Sequence, residues 1–139
     1  MIIYNALDVK IPIFPKRKVS SWIKRVASNY NFKVGNVSYI FCSDEKILEI
    51  NNKYLSHNYF TDVITFDYTL DNTISGDIFV SIETVVSNAN QYHVNHLQEL
   101  YRVMIHSILH LCGLKDTTKE EKLIMTNKEN ETLKLFNEI

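Results

Sequence analysis

Apolar positions recur along this chain with two different periods, and the switches between them lay out the elements. IIYN, beginning at Ile2, opens as a strand. Over residues 18–31 the apolar side chains Val19, Trp22, Ile23 and Val26 recur at helical spacing, which predicts an amphipathic helix with Trp22 in the core. GNVSYIFCS, residues 35–43, reads as a strand, and Asp44 as the N-cap of a helix carrying Ile47, Leu48 and Ile50. DVITFDY (62–68) and SGDIFVSI (75–82) are rich in β-branched and aromatic residues and are separated by turn formers, so they predict a hairpin. A further helix fits residues 83–92. Strands and helices interleave early and only helices follow, the pattern of an α+β single domain with a mixed β-sheet of about four strands and packed helices.

The segment NHLQELYRVMIHSILHLCGLKD, residues 95–116, is the most informative. Asn95 with Gln98 three positions on resembles a capping box, and Glu99 suits the positive end of a helix dipole. Leu100, Val103, Met104, Ile105, Ile108, Leu109 and Leu111 make the helix apolar nearly all round, so it should lie at the centre of the fold. Gly113 is the natural residue to end it, since glycine enters the left-handed region without a Cβ penalty. Beyond it, Thr118 and Glu121 form a second capping box and predict a final helix. Leu123, Ile124, Leu133, Leu135 and Phe136 should anchor that helix around a solvated, charged middle to which no chemistry is assigned.

Composition narrows the class. A chain of 139 residues, 45% hydrophobic, can bury one substantial core unaided. Cys42 and Cys112 are far apart in apolar runs, which argues against a secreted disulfide framework and for a reducing, cytoplasmic setting. Neither a signal peptide nor a membrane span is expected, because no run of ~18 apolar residues occurs. The net charge of −1 predicts no polyanionic partner, but residues 1–35 hold seven basic residues against Asp8 alone. Within that segment Lys16, Arg17 and Lys18 are candidate RNA-phosphate contacts, with a solvated helix face as the alternative.

The candidate chemistry is a metal site. His106 and His110, at i and i+4, direct both imidazoles to one side of the central helix. Asp116 follows the terminating glycine by three residues, so the chain can fold back and offer a carboxylate to the same point. The spacing H-x-x-x-H-x-x-G-x-x-D parallels the metzincin pattern H-E-x-x-H-x-x-G-x-x-H. Three ligands leave one position open for water, as in catalytic zinc sites, and burying two partnerless imidazoles would be costly. His57, His93 and His96 lack this frame and read as surface or capping residues; Cys112 and Met125 read as core. Ser107 stands where zinc peptidases carry a general-base Glu, which disfavours peptide hydrolysis but leaves a metal-activated water available.

These residues carry a family resemblance. His106-Ser107-Ile108-Leu109-His110-Leu111-Cys112-Gly113-Leu114-Lys115-Asp116 resembles the signature H-G-x-L-H-L-x-G-Y-D-H of the YbeY-type endoribonucleases, or rRNA maturation factors. Thr61-Asp62-Val63-Ile64-Thr65-Phe66 and Gly76-Asp77-Ile78 are similar to the family's T-[ND]-V-L-S-F and G-D-I strands, in the same order. The resemblance implies a metzincin-like α+β fold, one Zn²⁺ and hydrolysis of single-stranded RNA. It further implies a role in 3′-end maturation of small-subunit (16S) rRNA and in ribosome quality control. This chain departs from the pattern at Asp116, a histidine in the family, at Ser107, a glycine, and at Leu55, where a family arginine falls. Two other classes remain open: a non-catalytic, metal-stabilised ribosome-assembly factor, and a metallohydrolase of peptides or small esters.

Overall fold

The computed structural model describes residues 1–55 and 61–139. Strand β1 (Ile2–Ala6) leads to helix α1 (Lys16–Asn29), strand β2 (Lys33–Cys42) and helix α2 (Asp44–Leu55). The antiparallel pair β3 (Val63–Asp67) and β4 (Thr73–Ser81) follows, then α3 (Ile82–Tyr92), α4 (His96–Leu111) and α5 (Lys119–Phe136). The four strands form one mixed sheet in the order β1-β2-β4-β3, with β1, β2 and β4 parallel. The expected α+β architecture and the hairpin are therefore present. No helix among the described residues is long and apolar enough to cross a membrane.

The sheet's two faces are covered unequally. On one face Tyr39, Phe41, Ile74, Ile78 and Val80 pack with Val19, Trp22 and Ile23 of α1, and with Met104, Ile105 and Ile108 of α4. On the other, α2 lays Ile47 and Ile50 over Cys42 and Ile64. Both cysteines are free and buried. Burial pushes the Cys42 thiol up to about 12 and that of Cys112 to about 11, so neither is poised to form a thiolate.

Several boundaries differ from the periodicity reading for local reasons. Helix α1 begins at Lys16, because Pro15 lacks an N–H and its carbonyl already accepts from Val19 N–H at 3.0 Å. It stops at Asn29, since Asn31 turns left-handed (φ 65°) and sends the next N–H back to Ala27. Asp44 is not the cap of α2: Ser43 Oγ accepts from Lys46 N–H at 3.2 Å, while the Asp44 carboxylate accepts from the hydroxyls of Ser81 and Thr84. That exchange ties the start of α2 to the start of α3.

The central helix is pinned before it can present anything. Asn95 Oδ1 accepts from Leu97 N–H at 2.8 Å at its start. Tyr39, fully buried on β2, donates to Met104 O at 2.9 Å, and Thr65 of β3 donates to Ser107 Oγ at 3.0 Å. Gly113 (φ 102°) ends the helix with Gly113 N–H bonded to His110 O and Leu114 N–H to Leu109 O, the paired bonds of a Schellman turn. Gly76 lets β3 close on β4, as a Cβ there would stand 2.5 Å from Phe66 O.

Candidate active site

His106 is held from its far side. Its Nδ1 donates to Glu129 Oε2 of α5 at 2.6 Å, which leaves Nε2 facing Asp116 Oδ2 across 3.5 Å. Glu129 is itself fixed: Arg102 Nη1 donates to its other oxygen at 3.0 Å, and Arg102 Nη2 donates to Asn130 Oδ1 at 2.7 Å. Arg102, one turn before His106 on α4, thus clamps the carboxylate that orients the imidazole. A histidine whose Nδ1 proton is engaged by a carboxylate presents its Nε2 lone pair outward, the tautomer that binds a metal.

The three residues singled out by spacing converge on one place. His106, His110 and Asp116 line a cavity of about 350 Å³ with Val63, Thr65, Lys115 and Thr117. Glycine at 113 makes this possible, turning the chain so that Asp116 returns over α4. Two corrections apply. His110 is exposed and His106 only half-buried, so the imidazoles are not sealed in an apolar core: the helix's polar edge faces the cavity. Among the described residues no three His, Cys, Asp or Glu side chains stand close enough to enclose an ion as they lie: Asp116 pairs directly with His106, and His110 is an exposed residue of the cavity wall. The donor set nevertheless fits a zinc-class ion in kind, with two imidazoles, one carboxylate and a carboxylate behind the first histidine.

A second cavity of about 340 Å³ adjoins the first, sharing Val63, His106 and Asp116, and is lined further by Thr61, Asp62, Glu99, Arg102, Val103 and Glu129. Its chemistry is acidic. Burial raises Asp62 and Glu99 above the usual carboxylate range, in both cases against a nearby cation. For His106, burial alone would lower the pKa; the Glu129 hydrogen bond and charge, with Asp116 and Asp62 behind it, outweigh that and raise it. All three groups hold protons more tightly in the folded chain than in the unfolded one, so stability falls as pH rises through their titrations. The His106 share is full below the unfolded value of about 6.5 and is lost as pH rises from there through the higher folded value. Urea midpoints of the metal-free protein should therefore be lower at pH 8.5 than at pH 5.5, and His106→Gln should flatten the upper part of that slope. Equal midpoints would contradict the assignment.

Other expectations resolve simply. Ser107 is fully buried and bonded to Thr65, a structural hydroxyl with no role as a base. Cys112 and Met125 are core. His93 caps α3 in a left-handed conformation and His96 lies at the surface beside Asn90; His57 falls outside the described residues. Lys16, Arg17 and Lys18 begin α1 and line neither cavity; the Lys16 and Lys18 ammonium groups sit over the Phe14 and Phe136 rings. The middle of α5 is not simply solvated. Glu129 is buried between Met125 and Thr132, whereas Leu123 and Ile124, expected as anchors, are exposed. Spacing of 125, 129 and 132 places all three on one helix face, a signal that marks Glu129 as inward-facing.

A mixed sheet supporting a two-histidine helix, a glycine turn and a returning carboxylate defines a small α+β protein with a hydrolase-type cleft. Residues 4–137 match the family model described as Endoribonuclease YbeY, and the chain belongs to that family. Proteins named Endoribonuclease YbeY from Parabacteroides distasonis and Phocaeicola vulgatus are 53% and 51% identical to it. The alignments cover 99% and 98% of this chain and 96% and 99% of those relatives. The solution structure of TM1509 from Thermotoga maritima superposes with a TM-score of 0.67, covering 98% of this chain and 89% of its own; at 24% identity it speaks to the fold alone.

Proposed function

We propose that this protein is a metal-dependent endoribonuclease that cleaves single-stranded RNA, with the 3′ end of small-subunit rRNA as its substrate, in the cytoplasm. The observation that carries the reading is the Arg102–Glu129–His106–Asp116 chain, which aims one imidazole nitrogen at a carboxylate inside an open cleft. His106, His110 and Asp116 would hold one zinc ion, the exposed His110 side chain turning about its χ angles to join the other two. Such an ion, when bound, polarises a phosphoryl oxygen and makes bound water a nucleophile near neutral pH.

The remaining roles belong to the chain itself. Glu129 keeps the His106 proton on Nδ1 and so leaves Nε2 toward Asp116. Lys115, on the rim of the histidine cavity, offers a cation to the phosphate of a bound strand. Leu55, at the end of α2, stands where the family signature has arginine and brings no charge, so Lys115 and the basic start of α1 would supply phosphate contacts in its place. Lys16, Arg17 and Lys18, away from both cavities, would serve affinity rather than chemistry.

A single-stranded fragment of the 3′ end of small-subunit rRNA, incubated with the protein and a divalent ion, should be cut, and the same fragment annealed to its complement should resist. Equal cutting of both forms, or of neither, contradicts the reading.

A further inference from the structure

The acidic cavity beside the histidines shares His106 and Asp116 with the proposed ion site, but its other walls, Asp62, Glu99 and Arg102, have no part in holding the ion. Glu99 is 5% exposed, lines this cavity and takes part in no side-chain hydrogen bond among the described residues. No fully buried side-chain oxygen among the described residues lacks a partner, so the Glu99 carboxylate opens on the cavity, where a ligand can replace water as its donor. A phosphate is repelled by Asp62, Glu99, Asp116 and Glu129 together. A second metal ion is also unsuited, because the Arg102 guanidinium occupies the same wall. A ligand matched to this wall offers several hydrogen-bond donors to the carboxylates and an acceptor to Arg102.

The lining narrows it further. Glu99 and Arg102 lie three residues apart on one face of α4, so an acceptor pair and a donor stand side by side. Arg102 commits two N–H groups to Glu129 and Asn130 and retains others. Val63 and Val103 supply apolar surface for the faces of a flat ring. Among the four bases only guanine presents an acceptor followed by two donors, O6, N1–H and N2–H, along its Watson–Crick edge. Carboxylate on N1–H and N2–H with guanidinium on O6 matches that order. The volume, about 340 Å³, suits a single nucleoside and not a folded strand.

We propose that this cavity is a guanine-reading subsite, in which Glu99 accepts from N1–H and N2–H, Arg102 donates to O6, and Asp62 receives the remaining donors of the same nucleotide. Because the cavity shares Val63, His106 and Asp116 with its neighbour, the guanine belongs to the nucleotide next to the scissile phosphate. Its position relative to the cut rests on the nuclease reading; recognition of the base does not.

The test titrates guanosine, inosine and adenosine 5′-monophosphates into the metal-free protein, following backbone amide resonances. Inosine differs from guanosine only in lacking the 2-amino group, so phosphate and ribose contacts cancel. Guanosine monophosphate should shift Val63, Glu99 and Val103 and bind roughly tenfold more tightly than the other two, the discrimination of one good bidentate pair. Glu99→Gln, confirmed as folded by its melting curve, should bind all three alike, since its amide N–H₂ opposes the guanine donors. Equal affinity of the native protein for the guanosine and inosine nucleotides, or shifts confined to residues away from this cavity, would overturn the proposal. Discrimination without RNA cleavage would remove only the nuclease reading; cleavage without discrimination would remove only the subsite.

Discussion

Glu129→Leu should weaken zinc binding by roughly 10- to 100-fold while the protein still folds. The magnitude is that of losing an outer carboxylate behind a ligating histidine. The reason is specific: without Glu129 no other side chain among the described residues holds the His106 Nδ1 proton, and the ring is free to turn Nε2 away from Asp116. The same substitution strips Arg102 of its partly buried ion pair, so stability should fall by about 1–3 kcal/mol. Glu129→Gln separates the two effects. Its amide oxygen can still accept from Nδ1, so the ring stays aimed and zinc affinity recovers in large part, but the charge opposite Arg102 is gone. Competition against a chromophoric chelator and urea unfolding read the two quantities independently. Zinc affinity unchanged in Glu129→Leu would show that the α5 carboxylate is structural only.

Asp116→Ala should go further and reduce zinc affinity more than any outer substitution, because it removes a donor itself and leaves two imidazoles on one helix. Asp116→His is the informative partner. The turn after Gly113 already brings position 116 to within 3.5 Å of His106, so an imidazole there can reach the same point. It should bind zinc at least as tightly as the native chain, and its bound water should be somewhat more acidic for want of the aspartate charge. Loss of zinc affinity in Asp116→His equal to that in Asp116→Ala would mean that the turn does not deliver residue 116 to the ion.

The parts of this site that were legible in the sequence are those set by local geometry. Two histidines at i and i+4 must share a helix face, a glycine three residues beyond must turn the chain, and Asp116 must then return. The hairpin of β3 and β4 followed from β-branched runs separated by turn residues, and the capping box of α5 from Thr118 and Glu121. The parts that were not legible depend on which helix lies against which. Glu129 meets His106 across 23 residues of sequence, and nothing in the polar stretch of α5 announces its partner until α5 is seen to cross α4. Arg102, four residues before His106, was visible on the same face, but its role as a clamp exists only through Glu129 and Asn130. The exposure of His110 was missed because the apolar count of α4 masks one polar edge. The shift of the α2 cap to Ser43 arose because Asp44 found stronger donors on β4 and α3.

The most direct measurement is a zinc titration of metal-stripped protein in which ion occupancy and cleavage of single-stranded RNA are followed together, beside Asp116→Ala purified in the same way. The account predicts that cleavage rises in step with the first equivalent of zinc per chain and is absent from Asp116→Ala throughout. Full cleavage by the stripped protein, or by the mutant, would contradict it.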